Sequence, residues 1–281
     1  MDWAKWKRPS TYLCYLLMIL LVFFLVFPVF WVLVTSLKTD AQTFAIPLNF
    51  WPDPPTLANY ADVFAGGELL TYMKNSLMIA IPSVLISLFI AICAGYGFAR
   101  FTFPGSRAAL SSVLLLRMIP GIMFYIPYFL MITKMGLLNT HTGVLICMIP
   151  GNVLFATWIL QGFFRTVPVE IEEAAEIDGL GVFRRLLLIV IPISLPAIVT
   201  AMLFTFLGSW NEYLLSSTLL RDSALFTMPM GIKKFSNAVN ERVYWGKIMA
   251  NAAIYLLPVL IFTFVSQKGL VSGLSAGAVK A

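Results

Sequence analysis

The side chains best suited to polar chemistry lie in one short segment, residues 165–185, between two long apolar stretches. Five of the 13 acidic residues of the chain fall within it. They are Glu170, Glu172, Glu173, Glu176 and Asp178. On charge alone such a segment is typical of a solvated loop whose acids keep it soluble. The order of the residues instead favours a short helix whose acids lie near the positive end of the helix dipole.

The residue types that build metal centres and nucleophilic sites are scarce. His141 is the only histidine, so the residues needed for a His-based metal centre or a catalytic dyad are missing. The three cysteines, Cys14, Cys93 and Cys147, all lie in apolar stretches and show no paired spacing. No catalytic residue, metal site or cofactor bound by this chain is therefore predicted. A membrane-embedded enzyme has little support, because no intramembrane His, paired Asp or Ser-His set is present.

The same segment predicts a helix, a sharp turn and a second helix. Pro168 suits the first helical position, and Gly179 suits a helix stop because glycine adopts positive φ without a steric penalty. Ile171, Ala174 and Ala175 are expected to share one face. Gly181 gives the backbone further conformational freedom after the turn. A second helix is therefore expected to start near residue 182 and to run on into an apolar stretch.

The rest of the chain indicates a bilayer protein. Of 281 residues, 60% are apolar and only 11% charged, against roughly 25% charged in soluble domains. The charges leave six apolar stretches long enough for a membrane span of about 20 residues. These are residues 9–37, 75–99, 108–133, 135–164, 186–211 and 248–267. The predicted fold is all-α and integral to the membrane, with six transmembrane helices.

Charge and proline positions refine this topology. Lys5, Lys7 and Arg8 place the N-terminus in the cytoplasm by the positive-inside rule, and six spans then return the C-terminus to the same side. The net charge of +6 does not imply nucleic acid, because basic residues are expected at membrane boundaries. Prolines are expected to interrupt the helices. The prolines expected to do so are Pro120, Pro127, Pro150, Pro192, Pro196 and Pro258.

Polar groups inside membrane spans are costly and are therefore functional candidates. Arg117, Asn152, Asn211 and Glu212 are the candidates for a polar translocation pathway. The alternatives are structural pairing or snorkelling for Arg117 and interhelical hydrogen bonds for the two asparagines.

The acidic segment resembles a known motif. Glu173-Ala174-Ala175, then Asp178-Gly179, then Ile191-Pro192 and Pro196 resemble the EAA motif of permease subunits of binding-protein-dependent ABC importers, and residues 165–185 are called the EAA loop below. Other stretches look like the carbohydrate-importer branch, the MalG-like permeases. They are residues 118–120, 136–140, 162–165, 210–213 and 269–280.

This resemblance implies the type I ABC importer permease fold and a set of contacts to an ATPase. The EAA loop forms coupling helices that dock on the ATPase, and the C-terminal tail reaches toward the ATPase dimer. The coupling residues implied are Glu172, Glu173, Ala174, Ala175, Asp178, Gly179 and Gly181. The tail contacts implied are Ser275, Ala276, Gly277 and Lys280.

The resemblance also implies partners and a location. No Walker A pattern occurs in the sequence, so ATP and Mg²⁺ are expected on separate ATPase subunits and the chain is not expected to be an enzyme. The partners are a second homologous permease, two ATP-binding cassette ATPases, an extracytoplasmic solute-binding protein and the lipid bilayer, with no nucleic acid. The location is the cytoplasmic (inner) membrane of a bacterium or archaeon, with both termini cytoplasmic.

The predicted organisation has three parts. Residues 1–70 hold the N-terminal tail, first span and external loop, residues 71–267 the core permease domain, and residues 268–281 the cytoplasmic tail. The predicted function is uptake of a carbohydrate, such as a sugar, an oligosaccharide or a related polyol or glycerol phosphate, with this chain forming half of the pathway. The alternative is a secondary transporter or channel that works alone. The spans contain few ionisable groups and show no evident inverted repeat, and both observations disfavour this alternative.

Overall fold

The computed structural model describes residues 9–236 and 243–278. Every regular element in these residues is helical, and none of them forms a β-strand. The α-helices are α1 (Pro9–Ser36), α2 (Asp40–Thr43), α3 (Ala58–Ala65), α4 (Glu68–Arg100), α5 (Ser106–Met118), α6 (Tyr125–Lys134), α7 (His141–Phe164), α8 (Val169–Ile177), α9 (Val182–Arg185), α10 (Ile191–Ile193), α11 (Leu195–Trp210), α12 (Leu214–Leu219), α13 (Met228–Ser236) and α14 (Trp245–Ala278). The all-α prediction is confirmed.

Four helices of the described residues are long and apolar enough to cross a bilayer without a break: α1, α4, α7 and α14. Two more candidates are bent pairs. Helix α5 and residues Gly121–Lys134 meet at 95°, and residues Val182–Ile193 and Leu195–Trp210 meet at 80°. Six spans result if each bent pair counts as one, so the third and fifth predicted spans are broken helices.

Proline accounts for the place of the first break. Ile119 precedes Pro120, and a residue before proline is driven out of the helical region by the proline ring. Ile119 accordingly adopts an extended conformation, with φ −71° and ψ 125°, directly after α5 ends. In the second pair, Ser194 leaves the helical region two residues before Pro196.

Other prolines do not act as expected. Pro150 and Pro258 were predicted to interrupt helices, but they lie inside the continuous helices α7 and α14. Pro127 lies in the first turn of α6, where a missing backbone N–H removes no intrahelical bond. Of the six prolines expected to interrupt helices, only Pro120 directly follows a residue that leaves the helical region.

The chain divides into two compact units. Described residues of 1–69 and 232–256 form the first. In it, the side-chain amide of Asn59 donates to the carbonyls of Ser36 and Lys38 at 2.9 and 2.8 Å. The Lys38 ammonium is buried, donates to the Asn49 carbonyl and lies 4.6 Å from the ring centre of Trp31. Burial lowers its pKa below the ordinary lysine value.

The second unit comprises residues 70–231 and those after 256. Its core is an apolar cluster from α4, α6, α7, α12 and the start of α13, including Ile79, Ile132, Val144, Leu219 and Met230. Helix α7 packs against both α5 and α11. The unit therefore brings the two bent pairs together around α7, which positions the sites below.

A turn at Asn139 also shapes this unit. Asn139 has φ 59°, and its side-chain carbonyl accepts from the backbone N–H groups of Arg221 and Asp222 at 2.8 and 3.0 Å. The connection between α6 and α7 is thus tied to the segment after α12. The predicted domain boundaries are not tested by these observations and stay a prediction.

Candidate functional sites

The EAA loop folds as a helix, a tight turn and a helix, as predicted. Helix α8 ends at Ile177, and Gly179 follows with φ +85°. The N–H of Gly179 donates to the Glu176 carbonyl and that of Leu180 to the Ala175 carbonyl, both at 2.9 Å. This pair of bonds is the Schellman arrangement, which favours glycine at the left-handed position. Helix α9 then starts at Val182.

The buried face of α8 includes an acid. Glu172 and Ala175 are the buried residues of the helix, whereas Ile171 and Ala174 are exposed. Of the three residues expected to share one face, only Ala175 is therefore buried within the chain. Glu172 takes the other buried position, where a cation and a hydroxyl group bind its carboxylate.

The Glu172 carboxylate is held by two residues of α4. The Tyr96 hydroxyl donates to Oε2 and the Arg100 Nε donates to Oε1, each at 2.6 Å. Arg100 also donates to the Val167 carbonyl at 2.8 Å. The side chains of Arg100 and Glu172 are only 10% and 5% exposed. Because charge-assisted bonds of this kind are strong and short, the end of α4 fixes both α8 and the segment leading into it.

Sequence reasoning missed Tyr96 and Arg100. The available signal was their spacing of four residues, which puts both on one helical face, at the boundary of an apolar stretch. Nothing in the sequence indicates which of the five loop acids would meet them.

The predicted coupling residues fall into two groups. Glu172 and Ala175 are buried within the chain and have no exposed surface to offer a partner protein. The others, Glu173, Ala174, Asp178, Gly179 and Gly181, are exposed. A further ion pair joins Glu176 of α8 to Arg185 of α9 across the turn. The loop is thus a braced element with one polar, exposed side.

The predicted tail contacts are only partly within the described residues. The backbone of Ser275, Ala276 and Gly277 belongs to α14, which continues to Ala278. Lys280 lies outside the described residues, as do Lys5, Lys7 and Arg8 at the N-terminus.

Three of the four candidate pathway residues line one cavity of about 530 Å³: Arg117, Asn152 and Glu212. Asn211 is not among its lining residues. Sequence reasoning did not identify its aromatic lining, Phe124, Tyr125 and Tyr128, which follows the break after α5. This volume falls within the range of about 300–1,000 Å³ that is usual for small-molecule sites.

The three polar groups of the cavity are bound differently. Glu212 accepts from the N–H of Leu215 at 2.6 Å and from the N–H and hydroxyl of Ser216 at 2.8 and 2.7 Å. It therefore caps the start of α12. The Asn152 amide nitrogen donates to the hydroxyls of Ser83 and Ser209, both at 2.9 Å. These are interhelical bonds of the kind that the structural alternative predicts, and a role of Asn152 in a pathway stays a prediction.

Arg117 has a different surrounding. Its guanidinium lies over the ring of Phe155, with the central carbon 4.2 Å from the ring centre. Within the described part of the chain, no carboxylate pairs with it. Among those same residues, no three His, Cys, Asp or Glu side chains cluster in a way that could hold a metal ion.

Apolar helices of membrane-spanning length, two bent helix pairs and a braced polar loop define a polytopic membrane protein with a cavity of about 530 Å³. The comparison with known families makes this class specific. Residues 75–275 match the family described as "Binding-protein-dependent transport system inner membrane component", and the chain belongs to that family. It is therefore a membrane component of a transport system, as the EAA resemblance predicted.

Relatives cover nearly the whole chain. It is 33% identical to the sulfoquinovosyl glycerol transport system permease protein of Agrobacterium fabrum, over 91% of this chain and 89% of that protein. It is also 33% identical to the trehalose/maltose transport system permease protein of Thermococcus litoralis, over 91% of each chain.

A solved structure shares the fold. A chain of a bacterial ABC transporter involved in the import of the acidic polysaccharide alginate superposes with a TM-score of 0.78 at 22% identity, covering 95% of this chain and 99% of that one. The predicted ABC importer permease fold is confirmed.

Proposed function

We propose that this chain is one of two permease subunits of an ATP-driven importer that carries a carbohydrate across the cytoplasmic membrane. Its family is that of inner membrane components of binding-protein-dependent transport systems. Relatives of about one-third identity are named for sulfoquinovosyl glycerol and for trehalose and maltose. The substrate class assigned here rests on those relatives.

The observation that carries the proposal is the braced EAA loop. A coupling element must transmit the motion of a partner without deforming, and α8 is fixed to α4 by a buried ion pair and to α9 by the Gly179 turn. We assign the contact with the ATPase to the exposed residues, Glu173, Ala174, Asp178, Gly179 and Gly181. Glu172 and Ala175 act by holding that surface in place.

Energy and substrate then come from other chains. ATP and Mg²⁺ bind and react on two ATPase subunits, and an extracytoplasmic binding protein delivers the carbohydrate. A second, homologous permease completes the pathway, to which this chain contributes the cavity with Arg117, Asn152 and Glu212. Both termini lie in the cytoplasm, where Ser275, Ala276, Gly277 and Lys280 of the tail reach the ATPase pair.

The test is transport by the reconstituted complex. Proteoliposomes carrying this chain, the second permease and the ATPases receive the cognate binding protein outside and ATP inside. We expect uptake of a radiolabelled carbohydrate that needs both ATP and the binding protein. Uptake by this chain alone, driven by an ion gradient, would instead establish the secondary transporter.

The substrate is found in the same assay. Mono-, di- and oligosaccharides and glycerol phosphodiesters are offered one at a time, each with an empty-liposome control. ATP-dependent uptake of amino acids or metal ions, with no carbohydrate accepted, would contradict the assigned class while leaving the importer assignment intact.

A further inference from the structure

The two charged residues of the cavity lining, Arg117 and Glu212, are bound differently within this chain. The oxygens of Glu212 accept three hydrogen bonds at the start of α12. Arg117 is the only cation among the lining residues, and Phe155 is its one ring, hydrogen-bond or ion-pair contact in the described residues. The five N–H donors of its guanidinium are therefore available to a ligand or to another chain.

An unpaired arginine at this depth is costly. It lies in the last turn of α5, at the bend of a candidate span, and charged side chains inside a membrane pair with other groups or line a water-filled cavity. A cation–π contact contributes only about 0.5–2 kcal/mol, and it does not satisfy the N–H donors of the guanidinium. The planar edge of arginine fits the oxygens of a carboxylate, sulfonate or phosphate through two parallel bonds.

The rest of the cavity suits the remainder of an acidic carbohydrate. Tyr125 and Tyr128 are among the lining residues, and aromatic side chains suit the apolar faces of sugar rings. Asn152 uses its amide nitrogen for Ser83 and Ser209, which leaves its carbonyl oxygen, close to Gly208, as an acceptor for a hydroxyl group. One cation, one hydrogen-bonded carboxylate, one amide acceptor and aromatic residues thus line a volume of about 530 Å³.

From this geometry we infer that Arg117 binds the anionic group of the transported carbohydrate, so that the importer prefers acidic saccharides over neutral ones. The inference rests on the proposed function and adds a substrate class to it. The anionic group that Arg117 binds could also be a carboxylate of the partner permease. The experiment distinguishes this carboxylate from the acidic substrate.

The test offers matched pairs to the reconstituted importer with its binding protein: glucose with glucuronic acid, cellobiose with cellobiouronic acid, and glucose with glucose 6-phosphate. We expect ATP-dependent uptake of acidic members in preference to their neutral counterparts. Arg117→Gln should lower kcat/KM for the acidic substrate by on the order of tenfold or more, since a bidentate charged contact is lost. Arg117→Lys should restore part of the loss, because it keeps the charge but not the planar fork.

The matched control is Lys134→Gln. It removes a cation from the far end of the same bent pair, at the last residue of α6 and away from the cavity, and acidic uptake should stay within twofold of wild type. The variants are compared at equal amounts of assembled complex, measured by co-purification of the second permease.

Four results would overturn the inference, and the last of them would also overturn the proposed function. Uptake of neutral members alone would leave the importer standing and remove the acidic preference. Unchanged kcat/KM in Arg117→Gln would remove the role of the guanidinium. Loss of the second permease on purification of Arg117→Gln would show that Arg117 pairs with a carboxylate of the partner. Absence of ATP-dependent uptake for every probe would overturn the proposed function as well.

Discussion

The EAA loop and the cavity belong to the same compact unit but differ in how their charged side chains are paired. In the loop, Glu172 is almost fully buried and is neutralised by Arg100 from the same chain. In the cavity, Arg117 is exposed and meets only an aromatic ring within the described residues. A charge paired inside its own chain fixes geometry, whereas a charge left without an ionic partner is available to a ligand. The difference separates positioning residues from recognition residues.

The largest expected effect comes from breaking the ion pair between Arg100 and Glu172. Arg100→Gln leaves the Glu172 carboxylate buried without a cation, which typically costs about 3–5 kcal/mol. Helix α8 should lose its fixed position, and coupled uptake should fall on the order of 100-fold. Uptake in proteoliposomes and amide hydrogen exchange along α8 measure the two effects.

A double variant serves as the control for this effect. Arg100→Gln with Glu172→Gln removes both charges, and its loss should be smaller than the sum of the single losses because the two side chains interact directly. Additive losses, or uptake within twofold of wild type for Arg100→Gln, would contradict the role of the pair as a brace.

The second effect concerns the turn. Gly179→Val puts a β-branched residue at φ +85°, where the left-handed backbone costs an ordinary residue about 1–2 kcal/mol. The turn between α8 and α9 should open, and coupled uptake should drop about tenfold, while membrane insertion stays normal. Uptake at equal expression is the measurement.

Gly105→Val is the matched control for strain. Gly105 has φ +84°, and a Cβ at either glycine meets no atom within 4 Å. The two variants should therefore lose similar stability, but only the change in the EAA loop should lower uptake. Equal uptake by both variants would remove the coupling role of the turn.

A smaller effect is expected on the cavity side. Glu212→Ala removes the acceptor of three bonds at the start of α12, and loss of such a cap costs about 0.5–2 kcal/mol. Thermal stability should fall and uptake should decrease a few-fold, with the preference between acidic and neutral saccharides unchanged. A changed preference would make Glu212 a recognition residue and weaken the contrast with Arg117.

The smallest effect belongs to an exposed pair in the first unit. Lys247 and Asp62 lie 2.9 Å apart with side chains 30% and 54% exposed, and such pairs contribute about 0–1 kcal/mol. Asp62→Asn should leave thermal stability and uptake close to wild type. A loss as large as that of Arg100→Gln would show that burial does not explain the importance of the Glu172 pair.

Prediction from sequence succeeded where the cause is local. The turn at Gly179 follows from one residue that tolerates positive φ, and the start of α9 at Val182 follows from that turn. Prediction from sequence was incomplete where distant residues decide, as for the buried face of α8. The local pattern did not indicate that Glu172 is buried, because its cation, Arg100, lies 72 residues earlier in the chain.

The sequence by itself determined the membrane character, the number of candidate spans and the position of the coupling turn. These depend on composition, on segment length and on the backbone limits of single residues, all of which act over a few positions. Only the tertiary structure decided which loop acid is buried, and that Arg117, Asn152 and Glu212 line one cavity. Those facts depend on how α5, α7 and the segment after α11 pack, and an ion pair or a cavity is specified by distances that no local pattern encodes.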